Sequence, residues 1–254
     1  MPGLGLGLRL TGGAALAAGG RGASFSNTAS IAFDGTNDYV SIAGGAVNLG
    51  TTNTIAMWAK YTGSGTLQAH PLGASTWGGG GYHFYPVGNT LMVIRVEGAT
   101  LVWNDSTTVT HMTNAEDGDW QQWGIVRDDD DVTLYINGAS MGQKTLSSSQ
   151  GDTLVDLIGT GWASGVSYNE WEGHVDEVAL FDATLDADAM AAIYNSGDPT
   201  DLTSDDGDYD NSGDLVAYWR LEEGTGTSTA DSSDNSNTGT LINGAAWSTT
   251  VPES

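Results

Sequence analysis

Alternating carboxylates near the C-terminus are the residues of this chain best spaced for metal chemistry. Asp206, Asp208 and Asp210 occupy every second position, so their oxygens can converge on one hard cation, as in calcium loops of the Asp-x-Asp-x-Asp type. The match to such loops is incomplete, because glycine stands at Gly213 instead of 211 and Ala217 replaces the bidentate glutamate. Two hypotheses remain for this segment: a calcium site and a solvated acidic linker.

A second oxygen-rich stretch lies closer to the C-terminus. Its side chains could bind a cation or close Asx turns by bonding to their own backbone. The residues are Asp231, Asp234, Asn235 and Asn237.

Other catalytic patterns are missing from the sequence. The four histidines have no metal-ligand spacing such as His-x-x-x-His, and we expect His174 to be a structural residue. The glycine run at 78–81 lacks the Lys and Ser/Thr of a phosphate-binding loop. We therefore predict no catalytic residue and no organic cofactor.

Aromatic side chains could act by stacking on sugar rings. Loop tryptophans and tyrosines can also form subunit contacts or pack in a core, and all three interpretations stay open. The candidates for a ligand or interface role are Trp77, Tyr82, Trp162, Tyr168 and Trp171, with Trp103 as a further member of the group. Trp58, Trp123 and Trp219 stand in patterns typical of a sheet core.

The elements that must position these residues are short strands. Thirty-seven glycines, many Ser and Thr, and nine each of Trp and Tyr favour strands joined by tight turns. The tetra-Asp run 128–131 predicts a solvated hairpin turn. Strands are predicted at 30–33, 38–42, 54–61, 81–85, 91–96, 122–127, 132–137, 154–159, 172–181, 215–221 and 239–242.

One helix and one linker are predicted between the body and the last strands. The helix covers 184–195, with Thr184 as its cap and with Leu185, Met190 (or Ala189) and Ile193 facing the sheet. Residues 198–214 carry seven Asp and no base, so we expect an acidic linker that crosses the surface.

Residues 1–24 are predicted to form a glycine-rich arm. Leu4, Leu6, Leu8 and Leu10 alternate with glycine or arginine and give one apolar face. Such an arm can be ordered only where a groove or sheet edge also pairs its backbone, so we predict that the four leucines dock on a partner. Its apolar stretch is interrupted by Gly and Arg9 and lacks a charged n-region, unlike a secretory signal.

Composition excludes several partners. The formal net charge is −25, from 32 acids and 7 bases, and such a surface repels nucleic acids, anionic lipids and sulfated glycans. No apolar run is long enough to span a membrane, and cysteine is absent.

Five segments in series resemble a laminin-G-like (concanavalin-type) jelly roll. The segment 215–248, with Leu-Val-Ala-Tyr-Trp at its start, resembles the opening of such a domain but comes last. We therefore expect an all-β sandwich of two antiparallel sheets, with body 25–197 and strands in 215–254 that complete it in permuted or swapped order. The five segments are 33–40, 55–58, 123–126, 132–138 and 173–181.

The resemblance implies two further candidate sites. Asp34 and Asp176 lie in motifs whose strands can approach each other, and related domains hold structural calcium at sheet rims. Some relatives hydrolyse polysaccharides with carboxylates alternating along one strand. Glu170 and Glu172 have that i, i+2 spacing, but the full Glu-x-Asp-x-x-Glu arrangement is missing.

These observations predict a non-enzymatic binding or structural protein. An extracellular type of domain with neither export signal nor cysteines could leave the cell by lysis, which predicts a phage or other virus component, such as a capsid decoration or tail appendage. Its partners would be other virion proteins, held by the arm, and further copies of the chain. The alternative is a calcium-assisted carbohydrate-binding or adhesion module, secreted or at a cell surface.

Overall fold

The chain folds as a sandwich of antiparallel sheets. The computed structural model describes residues 25–63, 69–75, 82–87, 91–96, 99–104, 118–148, 150–161 and 170–253. The first nine strands in these ranges are β1 Ser30–Asp34, β2 Tyr39–Ile42, β3 Val47–Asn48, β4 Thr52–Tyr61, β5 Leu72–Gly73, β6 Tyr82–Val87, β7 Leu91–Val96, β8 Ala99–Trp103 and β9 Gln121–Asp128. The next nine are β10 Asp131–Ile136, β11 Ala139–Thr145, β12 Leu154–Val155, β13 Leu157–Ile158, β14 Glu172–Phe181, β15 Leu215–Trp219, β16 Ser228–Thr229, β17 Gly239–Ile242 and β18 Ala246–Ser248.

Two large sheets account for most of these strands. The first sheet has the order β11-β10-β9-β4-β14-β1-β18, with β15 also paired to β14. The second has the order β16-β17-β2-β13-β5-β6-β7-β8, and β3 and β12 form a separate pair. This arrangement confirms the predicted jelly roll, and the two-residue turn between β9 and β10 confirms the hairpin at the tetra-Asp run.

Alternation along the central strands of the first sheet builds two apolar layers. On β4, Ile55 and Met57 face the core between the sheets, whereas Ala56 faces outward into a second cluster. The period of two follows from the pleat, which points successive side chains to opposite faces. Both faces of this sheet are therefore covered, and this explains why β4 is buried at nearly every position.

The C-terminal strands pair with strands of the same chain in both sheets. β15 lies beside β14, β17 beside β2, and β18 beside β1. Trp219 is fully buried in the central core, and its indole nitrogen donates to the carbonyl oxygen of Asn237 at 2.6 Å. The last strands thus belong to the same core as the first.

The outer cover of the first sheet consists of a helix and the acidic linker. The helix, α1, spans Ala187–Tyr194, and its N-cap is Asp186, whose carboxylate accepts from the backbone of Ala189; the prediction of Thr184 as cap was wrong. Asp captures the first-turn amides as well as Thr does, and here it stands at the right position. The predicted sheet-facing residues Leu185, Ala189, Met190 and Ile193 are all buried.

The linker is more than a surface crossing. Leu202 and Tyr209 are buried in the outer cluster, and the Tyr209 hydroxyl donates to the carbonyl oxygen of Leu202 at 2.7 Å. Two apolar anchors without periodicity therefore hold an acidic segment against the sheet.

Among the described residues, no helix is both long and apolar enough to cross a membrane.

Arg127 gives a testable case of a buried cation held by carbonyl groups. It is 1% exposed, and its guanidinium donates to the carbonyl oxygens of Asp129, Gln150 and Gly151 at 2.8–3.1 Å. We expect Arg127→Met to lower the free energy of unfolding by about 3–5 kcal/mol, because the buried side chain loses its charged hydrogen bonds to three carbonyl groups. Urea unfolding measures this loss. The stability of Arg127→Lys should lie between that of the original protein and that of Arg127→Met. A loss under about 1 kcal/mol for Arg127→Met would contradict the role given to these hydrogen bonds.

Candidate functional site

The alternating carboxylates of the linker do not converge. Asp206, Asp208 and Asp210 are all exposed, and Asp206 forms a two-way backbone pair with Tyr209 that turns the chain between them. In the described part of the chain, the only three acidic side chains whose oxygens all lie within 4.8 Å of one another are found elsewhere. The solvated linker is therefore the hypothesis that fits this segment.

The expected pairing of Asp34 with Asp176 is wrong. In the β1–β14 register Asp34 lies opposite Glu172, four residues from Asp176, which separates them by about 13 Å along the strand. Asp34 instead accepts from the backbone of Thr36 at 2.9 Å, and Asp38 accepts from the backbone of Asp34 at 2.8 Å. These carboxylates close their own turn.

The side chains of the second oxygen-rich stretch also form hydrogen bonds with backbone groups of the chain. Asp231 accepts from the backbone of Tyr218, Ser233 and Asn237 at 2.8–2.9 Å, and Asn237 donates to the carbonyl oxygen of Val216. The loop thereby fixes the position of β15. Of the two interpretations, Asx-type turns fit it.

Some aromatic candidates lie in the core, and the others are residues that the structure does not describe. Trp171 and Trp103 are fully buried, so neither can stack on a sugar; the core interpretation fits them. Trp171 packs edge-on against Trp123 at 5.7 Å between ring centroids. Outside the described residues lie Trp77, Trp162 and Tyr168, the side chain of Tyr82, and the arm residues Leu4, Leu6, Leu8 and Leu10.

Glu170, Glu172 and His174 lie around the start of β14. Glu172 opens β14, whereas Glu170 stands before the strand in an isolated bridge to His70. His174 is half-buried, with its Nε2 3.1 Å from the Ser248 hydroxyl, and burial lowers its pKa. These positions tie strand ends together.

The carboxylates that do meet are Asp176, Glu177 and Glu222, hereafter the acidic triad. Asp176 and Glu177 lie at a β-bulge, where the register of β14 against β4 shifts by one residue. Val175 and Val178 on either side both face the central core, so the two residues between them lie on the outer side of the sheet. Asp176 is fully buried and Glu177 is 3% exposed.

Polar groups from two other parts of the chain contact the triad. The Tyr218 hydroxyl donates to Glu177, and the Arg220 Nε lies 3.9 Å from a Glu177 oxygen. Glu222 accepts from the backbone and hydroxyl of Thr28 at 2.7–3.0 Å, which fastens the start of the described chain to the end of β15. Arg220 also stacks on Phe25 at 4.4 Å.

Several polar atoms in this group have no hydrogen-bond partner, although Oε1 of Glu177 is in an ion pair with Arg220. Oδ2 of Asp176 and Oε1 of Glu177 are buried without a hydrogen bond, and so are both amide atoms of Asn27. Asn27 is nevertheless close enough to Asp176 to lower the pKa of its carboxyl, although the pair does not meet the geometry of a full hydrogen bond.

Burial dominates the electrostatics of the triad. It raises the pKa of Glu177 to about 8, although the Tyr218 hydroxyl and the charge of Arg220 lower it. Burial, followed by the charge of Glu177, raises the pKa of Asp176 well above its ordinary value. Two neighbouring carboxylates therefore resist ionisation unless further positive charge enters the site.

Sequence reasoning found one member of the triad and missed two. Asp176 was a metal candidate, but with the wrong partner. The signal for the others was weak: Glu177 is the second acid in the apolar run Val-Asp-Glu-Val-Ala-Leu-Phe, and Glu222 follows a buried strand. A bulge that places two successive acids on one face is not visible in a period-two pattern.

Comparison with known proteins identifies the fold family. A laminin G family model, described as the concanavalin A-like lectin/glucanases superfamily, matches residues 34–191, more than half of the chain. The chain belongs to this superfamily. A search of the curated proteins found no match.

Two solved structures have folds similar to that of this chain. One is a Bacteroides ovatus protein named as a putative carbohydrate-binding protein, which is 13% identical to this chain. The TM-score is 0.63 over 91% of this chain, and this chain spans only 62% of that protein. The other is a heptameric SAP-like pentraxin of Limulus polyphemus, with 13% identity and a TM-score of 0.54 over 88% of this chain and 98% of the pentraxin. At this identity the likeness concerns the fold.

Proposed function

We propose that this protein is a non-catalytic carbohydrate-binding module that acts outside the cell. The proposal is supported by membership of a superfamily of lectins and glucanases, and by a similar fold in a Bacteroides protein named for carbohydrate binding. The single observation that carries it is the contrast between the two outer faces of the sandwich.

The outer face of the first sheet is occupied by α1 and the linker, whereas one end of the second sheet has small hydroxyl side chains on its surface. Ser228, Thr240 and Ser41 are in register across β16, β17 and β2. Ser228 and Thr240 are exposed and Ser41 is half-buried. Beside this row, Tyr39 lies opposite Ile242, and both are half-buried.

This surface offers what a neutral sugar needs. Hydroxyl groups can donate to and accept from sugar hydroxyls, and a tyrosine ring supplies a flat apolar face with a polar tip. The net charge of −25 disfavours sulfated or other anionic glycans. We therefore expect neutral glycans as ligands.

A glycan array tests the proposal, with the full chain probed in the presence of Ca²⁺ and of EDTA. We expect binding to neutral glycans, and a roughly fivefold to tenfold loss of affinity in Tyr39→Ala, about 1–1.4 kcal/mol. Gln143→Ala, an exposed residue of β11 in the other sheet, is the matched control and should bind like the original. Absence of any glycan signal in both conditions would refute the proposal.

Two finer predictions stay open beside it. A polysaccharide hydrolase would release sugars from a bound polymer, and Glu170→Gln would abolish that release; we expect no release by the original chain.

Attachment to a virus particle through the arm remains a prediction, because residues 1–24 lie outside the described part of the chain. Mass spectrometry of purified particles tests it, and finding the protein only in cytosol would contradict it.

A further inference from the structure

Two turns of this chain share the tetrapeptide Ile-Asn-Gly-Ala, at 136–139 and at 242–245. We propose that the second turn, at Asn243 and Gly244, is a site of spontaneous deamidation, whereas the fold protects the first turn from the same reaction. The reaction needs only water as a co-reactant. Its test does not depend on the proposed glycan binding.

The two turns also resemble each other in their backbone. Asn137 and Asn243 both have positive φ, at +51° and +56°, and the glycine after each also has positive φ. Ile136 lies opposite Ala139 in the β10–β11 pair, and the backbone of Ala245 donates to the carbonyl oxygen of Ile242 at 3.3 Å. Asn followed by Gly is the sequence that such tight left-handed turns favour. A large difference in reactivity between the two turns would therefore come from their surroundings.

Asparagine followed by glycine is prone to ring closure, because glycine has no side chain to shield its backbone nitrogen. After a base removes the amide proton of Gly244, the nitrogen attacks Cγ of Asn243. The new N–Cγ bond closes a five-membered succinimide, the Cγ–Nδ2 bond breaks, and the amide nitrogen takes up a proton and leaves as ammonia. Water then opens the ring at either carbonyl group and gives aspartate or isoaspartate. In total the reaction consumes one water and releases one ammonia.

The first turn is enclosed by neighbouring elements. The backbone of Gln122 donates to Oδ1 of Asn137 at 2.9 Å, and the backbone of Asn137 donates to the carbonyl oxygen of Gln122 at 2.8 Å. A Cβ placed on Gly138 would lie 3.0 Å from Cβ of Tyr194 and 3.1 Å from Cα of Ala191, both on α1. Ring closure requires rotation of the asparagine side chain and of the peptide group after it, so these contacts must break first.

The second turn is open to solvent. Asn243 and Gly244 are both exposed, and a Cβ placed on Gly244 would have no atom within 4 Å apart from its chain neighbours. The side-chain amide of Asn243 donates to the carbonyl oxygen of Asn37 at 3.0 Å, in an exposed bond that water can replace. Local opening costs almost nothing at exposed turns and up to the whole unfolding free energy in packed elements, so deamidation at Asn243 should be at least about tenfold faster than at Asn137.

Deamidation at Asn243 would change how the C-terminal strands are held. The product has a carboxylate in place of the amide, so it can no longer donate to Asn37, and it places a negative charge beside that carbonyl oxygen. Asn37 precedes β2 and Asn243 follows β17, and these two strands are paired at Tyr39 and Ile242. The side-chain tie at this end of the pair is therefore lost as the reaction proceeds.

Peptide mass spectrometry of the full chain after warm incubation at neutral pH tests the proposal. Trypsin separates the two sites, because Asn137 lies in the peptide 128–144 and Asn243 in the peptide 221–254. In the folded protein we expect the gain in mass from replacing NH₂ by OH mainly at Asn243. In concentrated urea the surroundings are removed, and the two rates should agree within about twofold. Equal rates in the folded protein, a faster reaction at Asn137, or no reaction at Asn243 would overturn the proposal.

Two variants assign the gain in mass, whereas the comparison of folded with urea-unfolded protein needs no variant. Asn243→Gln retains a side-chain amide but would have to close a larger ring that forms more slowly, so the gain in the folded protein should disappear. Asn137→Gln is the matched control and should retain the gain at the original rate. A gain that persists in the peptide 221–254 of Asn243→Gln would place the reaction at Asn235 or Asn237 and overturn the assignment.

Discussion

Replacing Glu177 with Gln should make the metal-free protein more stable by about 5 kcal/mol at pH 9 and leave it almost unchanged at pH 4. The reason is the burial that raises the pKa of this carboxyl from its ordinary 4.5 to about 8. That gap corresponds to about 5 kcal/mol, at 1.36 kcal/mol for each pH unit. The Gln side chain has the shape of the protonated acid but never ionises.

The direction of the effect follows from proton linkage. A carboxyl with a raised pKa in the folded state contributes fully to stability below its unfolded pKa, here about 4.5. That contribution is lost as the pH rises through about 8. The groups that act on Glu177 are Tyr218, Arg220, Glu222 and Asp201, and Asp176 beside it shares the raised pKa.

Urea unfolding in EDTA at several pH values between 4 and 9 measures the effect. Glu253→Gln, an exposed carboxyl near the C-terminus, is the control and should follow the original protein at every pH. Equal stability of Glu177→Gln and the original at pH 9 would show that the ionised carboxylate of Glu177 does not destabilise the folded protein.

The second large effect is expected at Gly173, which should not tolerate any side chain. Its φ is +147°, and a Cβ built there would lie 2.0 Å from the backbone carbonyl oxygen of Lys60 on β4. Because the obstacle is backbone in a paired strand, no rotamer change can relieve the overlap. We expect Gly173→Ala to lower the free energy of unfolding by at least about 4 kcal/mol, because the added methyl group would displace β14 from β4.

Two other glycines separate overlap from backbone strain. Gly45 has φ +99° with open space around it, so Gly45→Ala should cost only about 1–2 kcal/mol. Gly213 has open space and no positive φ, and Gly213→Ala should lie within about 0.5 kcal/mol of the original. Chemical unfolding of the three variants checks the order, and a Gly173→Ala loss no larger than that of Gly45→Ala would contradict the argument.

Local patterns predicted the strands well where one face of each meets a core. β4 and β14 were recognised because their apolar residues and turn signals are local, and the hairpin at 128–131 because a polar run divides two such segments. The start of α1 was misplaced by a few residues, because Thr184 and Asp186 can both cap a helix and only the packing of Leu185 and Met190 selects one.

The candidate site was much harder to predict. Regular spacing at Asp206, Asp208 and Asp210 favoured a metal loop, yet the linker is held by Leu202 and Tyr209 in a way that leaves the carboxylates in solvent. Asp176 and Glu222 are far apart in sequence, and their meeting depends on β15 pairing with β14. Spacing along the chain carries no information about such a contact.

The amino-acid sequence by itself determined the sandwich, its strand-rich order and its acidic, cysteine-free surface, since these depend on local propensity, alternation and composition. Only the tertiary structure decided that Trp171 is core and that one outer face is covered, while Ser228 and Thr240 on the other are exposed. It also decided that a bulge turns Asp176 and Glu177 to the same side. The physical reason is that burial and long-range pairing create these environments. A residue type can suggest a role, but the strands packed around it determine whether its charge is solvated, paired or buried.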